Sequence, residues 1–136
     1  MTAEQRQDLI VEEYAVIADV RERFQVIVET AAASMRPFPD EERLDQNLVP
    51  GCVSRVWLAV RNKEDGSMDV WVESESPALR GIAALFCRIY SGAIAAEIVA
   101  TEPDFVARLG IDRHLTPTRL RGLGRLRERL VEKARS

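Results

Sequence analysis

The chain has 136 residues, 46% hydrophobic and 30% charged, which suits one domain (1–136) with a buried core and excludes a disordered chain. Its apolar runs fall well short of the ~20 residues that a membrane-spanning helix needs. Residues 113–136 carry eight Lys and Arg against two Glu, whereas residues 1–112 carry a net charge of −9. Because the basic segment lacks aromatic side chains to stack on bases, and the acidic remainder repels phosphate, we expect no nucleic-acid partner.

Two helices are predicted at the N-terminus. The first covers residues 4–18, and the second begins after Asp19, an N-cap with Glu22 at the capping-box position. The second helix carries apolar residues at helical spacing: Phe24, Ile27, Val28, Ala31 and Ala32. Pro37 ends it, and a polar loop leads to the turn Pro50-Gly51.

Alternating apolar residues predict an antiparallel hairpin in the middle of the chain. The two strands cover residues 56–60 and 68–72, and Asp65-Gly66 supplies the turn between them. Leu48-Val49 is predicted as a short third strand of the same sheet.

Helices follow the hairpin to the end of the chain. Ser76-Pro77 opens one that closes at Ser91-Gly92, two short helices cover residues 95–100 and 103–109, and the last begins at Thr116-Pro117. Strands are therefore segregated from helices. This order predicts an α+β fold in which helices cover one face of a small antiparallel sheet of two to three strands.

Few residues in the chain are candidates for catalysis, metal binding or phosphate binding. A single histidine rules out a multi-histidine metal site, and no glycine-rich phosphate loop is present. The N-terminus lacks the order of a secretory signal, so we expect a cytoplasmic protein whose Cys52 and Cys87 are free thiols. Cys87 follows Phe86 in the most apolar helix, where a cysteine packs as a small hydrophobe.

Cys52 has a different setting, directly after the turn. Pro50 and Gly51 suit the two central positions of a type II turn, which would present the thiol at a loop tip. A reactive thiolate also needs positive charge nearby, from Arg55 or from an arginine of the C-terminal segment. The residues alone leave open a half-buried structural cysteine at the start of a strand.

Residues 48–58, LVPGCVSRVWL, resemble the signature VPGCQSQVWL of the SufE family of sulfur-acceptor proteins. The resemblance continues through Glu73-Ser74-Glu75, an apolar helix ending in Tyr90-Ser91-Gly92, and residues 114–119, HLTPTR. These segments occur in the family's order over roughly residues 19–130. In the signature, Val53 and Arg55 stand in place of the family's two glutamines.

Five residues that match the family pattern are candidate site residues: Gly51, Cys52, Ser54, His114 and Arg119. We interpret Ser54 as a hydrogen-bonding loop residue and His114 as structural, closing a helix. Trp57, which also matches, is interpreted as a core aromatic residue.

The position of Arg119 in the first turn of a helix is unfavourable for a cation. It therefore indicates a carboxylate partner, such as Glu73 or Glu75, or a docking surface.

The resemblance implies a SufE/IscU-like fold without metal or cofactor. It also implies a carrier rather than an enzyme: Cys52 would take persulfide sulfur from a cysteine desulfurase, activate that enzyme, and deliver the sulfur to an iron–sulfur scaffold complex. Three alternatives remain open, namely an IscU-like cluster scaffold, a thiol hydrolase using Cys52 and His114, and an adaptor with an inert cysteine.

Overall fold

The computed structural model describes residues 1–136 and confirms the α+β class. The helices are α1 (Ala3–Ala15), α2 (Val20–Thr30), α3 (Pro77–Tyr90), α4 (Ala95–Ala100), α5 (Phe105–Arg108) and α6 (Pro117–Arg135). The strands are β1 (Val56–Asn62), β2 (Ser67–Ser74) and β3 (Ala93–Ile94). No helix combines the length and the apolar character needed to cross a membrane.

The predicted caps determine where three helices begin. The Asp19 carboxylate accepts a hydrogen bond from the Glu22 backbone N–H at 2.9 Å, and the Ser76 hydroxyl caps α3 in the same way. Thr116 caps α6, with Pro117 as its first residue. Each cap satisfies a backbone N–H that has no partner inside the helix, which is why these starts can be located in the sequence.

The sheet has the order β1-β2-β3 and is antiparallel throughout. The prediction of Leu48-Val49 as the third strand was wrong, because Leu48 forms only an isolated bridge with Trp57. The third strand is β3. Gly92, with a φ of 88°, turns the chain back after α3, and its N–H donates to the Met68 carbonyl at 2.7 Å. The next two residues consequently lie beside β2.

The two faces of the sheet have different covers. The inner face packs on α3 in the main hydrophobic core, where Leu58, Ile82 and Leu85 are almost completely buried. On the outer face, Phe38 from the loop before β1 covers Trp57 in a smaller cluster. Trp57 is therefore the buried aromatic residue that was expected, and the helices cover one face only.

The Tyr90-Ser91-Gly92 segment connects α3 to its neighbours. The buried Tyr90 hydroxyl donates to the Thr101 carbonyl at 2.6 Å. The Ser91 hydroxyl accepts from the backbone N–H of Val70 at 3.0 Å. These bonds satisfy polar groups beside the core, so this motif has a structural role.

Candidate functional site

Cys52 lies in a short loop, residues 50–55, which we call the cysteine loop. Its base is held where the Val49 N–H donates to the Val56 carbonyl at 2.8 Å, immediately before β1. Gly51 has a φ of 81°, as the type II turn required, and this conformation disfavours any side chain at that position. The loop is thus anchored at its base and turns sharply at its tip.

The Cys52 thiol points toward α6. Its Sγ lies 3.8 Å from the Gly122 carbonyl oxygen, to which it donates a weak hydrogen bond. A Cβ added at Gly122 would lie 3.1 Å from Sγ, so the missing side chain makes room for the thiol. The prediction that the turn presents the thiol at an exposed tip was wrong: Cys52 is half-buried, and Val53 occupies the tip with 84% exposure.

A narrow apolar cavity borders Gly122. Its volume is about 10 Å³, roughly the space of one water-sized group. Val56, Val72, Leu79 and Leu126 contribute to its lining. Gly122, which contacts the thiol, therefore also borders a small apolar space.

Two opposing effects act on the ionisation of Cys52. Partial burial raises the pKa of the thiol, and the positive charge of Arg125 lowers it by a smaller amount, so the net pKa lies above its ordinary value. The thiol is consequently protonated in this conformation at neutral pH. Of the two predicted sources of charge, the C-terminal segment supplies it, because Arg55 pairs with Glu75 at 3.6 Å.

Arg125 also packs on the cysteine loop. A Cβ at Gly51 would lie 2.5 Å from the Arg125 Nε and 2.8 Å from its Cδ. Position 51 therefore favours glycine for two reasons: the positive φ, and the room that a missing side chain leaves for Arg125.

His114 lies apart from the thiol. It ends a 3₁₀ turn, Ile111–His114, and its exposed ring stacks on Phe24 of α2 with 5.6 Å between ring centroids. No hydrogen bond connects His114 with Cys52, whose hydrogen bond goes to Gly122. This arrangement fits the structural interpretation of His114.

The other two candidate residues lack the partners expected for them. Ser54 is half-buried in the cysteine loop, but its hydroxyl forms no hydrogen bond, contrary to the prediction. Arg119 forms no ion pair. The carboxylates suggested for it are taken, Glu73 by Arg80 at 2.8 Å and Glu75 by Arg55, so the docking interpretation of Arg119 remains.

Cys87 is held inside α3. It is half-buried and lines a separate cavity with Ser34, Met35 and Arg36. Burial raises the pKa of its thiol to about 12, which keeps it protonated. No group of three or more His, Cys, Asp or Glu side chains in the structure is placed to hold a metal ion.

Sequence reasoning missed Gly122 and did not single out Arg125. Gly122 carried a signal, since a glycine inside a helical pattern costs about 1 kcal/mol relative to alanine and often marks a close approach. Gly124 carries the same signal, yet nothing lies within 4 Å of a Cβ built there. Only the folded structure distinguishes the two.

The chain is similar to known proteins in family, sequence and fold. The family model SufE, described as an Fe-S metabolism associated domain, matches residues 8–134. An uncharacterized SufE-like protein of Rhizobium meliloti (strain 1021) is 29% identical over 131 residues, covering 93% of each chain. SufE-like protein 1 of Arabidopsis thaliana, named chloroplastic/mitochondrial, is 32% identical over 101 residues, covering 74% of this chain and 27% of that protein.

A solved structure shares the fold. The solution structure of a hypothetical protein from Thermus thermophilus has a TM-score of 0.77 and 23% identity, and the likeness covers 96% of this chain and 93% of that one. At this identity the likeness supports the fold alone.

Proposed function

This chain belongs to the SufE family, whose domain is associated with iron–sulfur metabolism, and on that premise we propose that it is a sulfur acceptor. In the cytoplasm, Cys52 takes persulfide sulfur from a cysteine desulfurase, which the protein activates, and passes it to an iron–sulfur scaffold complex. The protein is then a carrier and not a free-standing enzyme. The observation that carries the proposal is a thiol in an anchored loop, held to the rest of the fold by one weak hydrogen bond.

The transfer is a thiol exchange. The Cys52 thiolate attacks the terminal sulfur of the donor's persulfide, forming a new S–S bond. The donor's own S–S bond breaks, and its electron pair stays on the donor's cysteine as a thiolate. Because one S–S bond replaces another, no oxidant or reductant is needed, and Cys52 now carries the persulfide.

The observed conformation corresponds to the resting state of this cycle. A thiol turned toward α6 does not reach into a partner's pocket, so the cysteine loop turns outward before transfer. The movement breaks a sulfur hydrogen bond of 3.8 Å, while the backbone bond between Val49 and Val56 keeps the base of the loop in place. Turning outward also removes the burial that raises the pKa of Cys52, which favours the thiolate.

The same resting position shelters the product. Once the loop returns, the sulfur on Cys52 lies beside the apolar cavity that borders Gly122. A persulfide is reducible by thiols in solution, and the half-buried position of Cys52 limits their access and prolongs its lifetime.

The alternative functions find less support in the geometry. A cluster scaffold needs about four ligands, and the His, Cys, Asp and Glu side chains form no such group. A cysteine hydrolase needs a base within hydrogen-bond reach of its thiol, and the single histidine stacks on Phe24 instead.

Mass spectrometry of the intact protein tests the proposal. After incubation with a cysteine desulfurase and L-cysteine, we expect the mass of one added sulfur atom, removable by dithiothreitol. Cys52→Ser should abolish the adduct, and Cys87→Ser should retain it. Sulfur on Cys87 alone, or on neither residue with an active desulfurase, would contradict the proposal and favour the inert adaptor.

A further inference from the structure

We propose that Arg125 is a positioning residue for sulfur transfer, which closes over the turn of the cysteine loop and supplies the counter-charge for the anionic forms of Cys52. The inference rests on the proposed function and extends it to a residue outside the signature. Arg125 lies in α6, in the half of the chain that does not contain the loop.

The first support is the contact between Arg125 and the turn. Three side-chain atoms of Arg125 would lie within 3.0 Å of a Cβ at Gly51, so the arginine packs directly against the backbone of the turn. Gly51 is the residue immediately before Cys52. Arg125 follows Gly122 by three positions, which places both on the same side of α6, toward the loop.

The second support is that the charge of Arg125 is not neutralised. Its neighbours on α6 have partners: Arg127 donates to the Ile98 carbonyl at 2.6 Å, and Arg129 pairs with Glu132 at 3.1 Å. Arg125 forms no ion pair and no hydrogen bond within the protein. An unpaired guanidinium attracts an anion that forms near it, and because Arg125 is exposed, solvent weakens this attraction without abolishing it.

Of the charged groups around Cys52, Arg125 is the one that supplies this attraction. In the loop itself, Arg55 is paired with Glu75. From α6, Arg119 and Arg135 also lack a partner, but only Arg125 is among the charges that lower the pKa of Cys52. No carboxylate contributes in the opposite sense.

The role of Arg125 in the reaction follows from where negative charge appears. Cys52 first loses its proton to solvent, and the resulting thiolate attacks the donor's sulfur. The charge then leaves on the donor's thiolate, and the persulfide on Cys52 becomes anionic when it in turn loses a proton to solvent. Arg125 stabilises both anions of Cys52 while the cysteine loop lies against α6. It therefore raises the fraction of thiolate before the loop turns outward, and it favours the loaded state once the loop has returned.

The experiment measures alkylation of Cys52 by iodoacetamide, followed by peptide mapping, between about pH 7 and pH 11. In Arg125→Gln, the midpoint of the pH profile should move to higher pH, and the rate near neutral pH should fall roughly threefold to tenfold. Arg125→Lys keeps the charge and should retain most of the rate. Arg135→Gln is the matched control: it removes the same charge from an exposed position about 15 Å further along α6, and should leave the profile unchanged.

A second measurement separates ionisation from docking. The single-turnover rate of sulfur transfer to Arg125→Gln should be low near neutral pH and should approach the wild-type rate at a pH where Cys52 is ionised in both proteins. A deficit that is the same at every pH would overturn the inference, since it would mean that Arg125 only contacts the partner.

The outcomes also distinguish this inference from the proposed function. If wild-type Cys52 takes up sulfur but Arg125→Gln has the wild-type alkylation profile, the inference is wrong and the acceptor function stands. If Arg125→Gln shifts the profile but wild-type Cys52 takes up no sulfur from an active desulfurase, the acceptor function is wrong and the influence of Arg125 on the thiol stands.

Discussion

The two cysteines show why exposed area alone is a poor guide to thiol function. Both are half-buried, yet the Cys52 thiol lies in a loop and forms one weak hydrogen bond, whereas Cys87 lies within α3 between Phe86 and Arg88. Burial raises both pKa values, to about 12 for Cys87, and an arginine opposes each rise, Arg125 at Cys52 and Arg36 at Cys87. What separates them is how much structure must move before the thiol ionises and meets a partner.

The largest expected difference is in reactivity. Because the pKa of Cys87 is about 12, only about one part in ten thousand of it is thiolate near pH 8. We expect Cys52 to alkylate on the order of a hundredfold faster or more, with a rate that rises with pH up to its pKa. Peptide mapping of partly labelled protein measures the ratio. Equal rates that rise together only on unfolding would remove the distinction between the two sites.

Replacing each cysteine by serine should change the free energy of unfolding by different amounts. Cys87→Ser places a hydroxyl beside the apolar core and should cost about 1–3 kcal/mol. Cys52→Ser should cost within about 0.5 kcal/mol, because the Gly122 carbonyl that accepts from the thiol is also available to a hydroxyl. Urea denaturation of both variants measures these differences. A greater loss in Cys52→Ser would show that the cysteine loop contributes to the core more than its contacts indicate.

A change in α6 should displace Cys52 alone. In Gly122→Ala, the new Cβ would lie 3.1 Å from Sγ, and the Cys52 side chain, whose one hydrogen bond is weak, should yield before the helix does. We expect Cys52 to alkylate roughly twofold to fivefold faster, with a gain of up to about 1 kcal/mol in helix stability from the loss of a glycine.

Gly124→Ala is the matched control for that substitution. It makes the same change two residues along α6, in open space, so it should give the gain in stability without the gain in reactivity. If Gly122→Ala instead unfolds earlier and leaves the alkylation rate unchanged, the loop is more rigid than Cys52's single hydrogen bond implies.

The smallest expected effect on stability concerns Arg119. It has no ion pair to lose, so Arg119→Ala should change the free energy of unfolding by within about 0.5 kcal/mol. If Arg119 contacts the partner, this variant should stimulate the desulfurase less than wild type in a steady-state assay. A variant that melts much earlier yet stimulates fully, once folded, would assign Arg119 to the fold instead.

The sequence predicted those features that local rules determine. Asp19, Ser76 and Thr116 mark helix starts because a cap needs only its own first turn, and alternation located the hairpin. The third strand was placed wrongly at Leu48-Val49, which forms only a single bridge beside β1. The actual third strand, β3, was missed because its pairing depends on how α3 returns the chain to β2.

The candidate site also combines features that adjacent residues determine with features that depend on distant parts of the chain. The motif located Cys52 and its turn, because both depend on adjacent residues. Its burial, its contact with Gly122 and its neighbour Arg125 depend on a helix far along the chain, and no local pattern specifies such a contact. The direction of the pKa shift at Cys52 was therefore beyond what the sequence could determine.

The contact between Cys52 and Gly122 also bears on biosynthesis. The thiol and its cover are separated by 70 residues, and a chain is made from its N-terminus at roughly 5–20 residues per second. Cys52 therefore leaves the ribosome on the order of ten seconds before the helix that shelters it. During that interval the nascent thiol lacks this shelter, and it is most open to oxidants and to mixed disulfides before its own fold covers it.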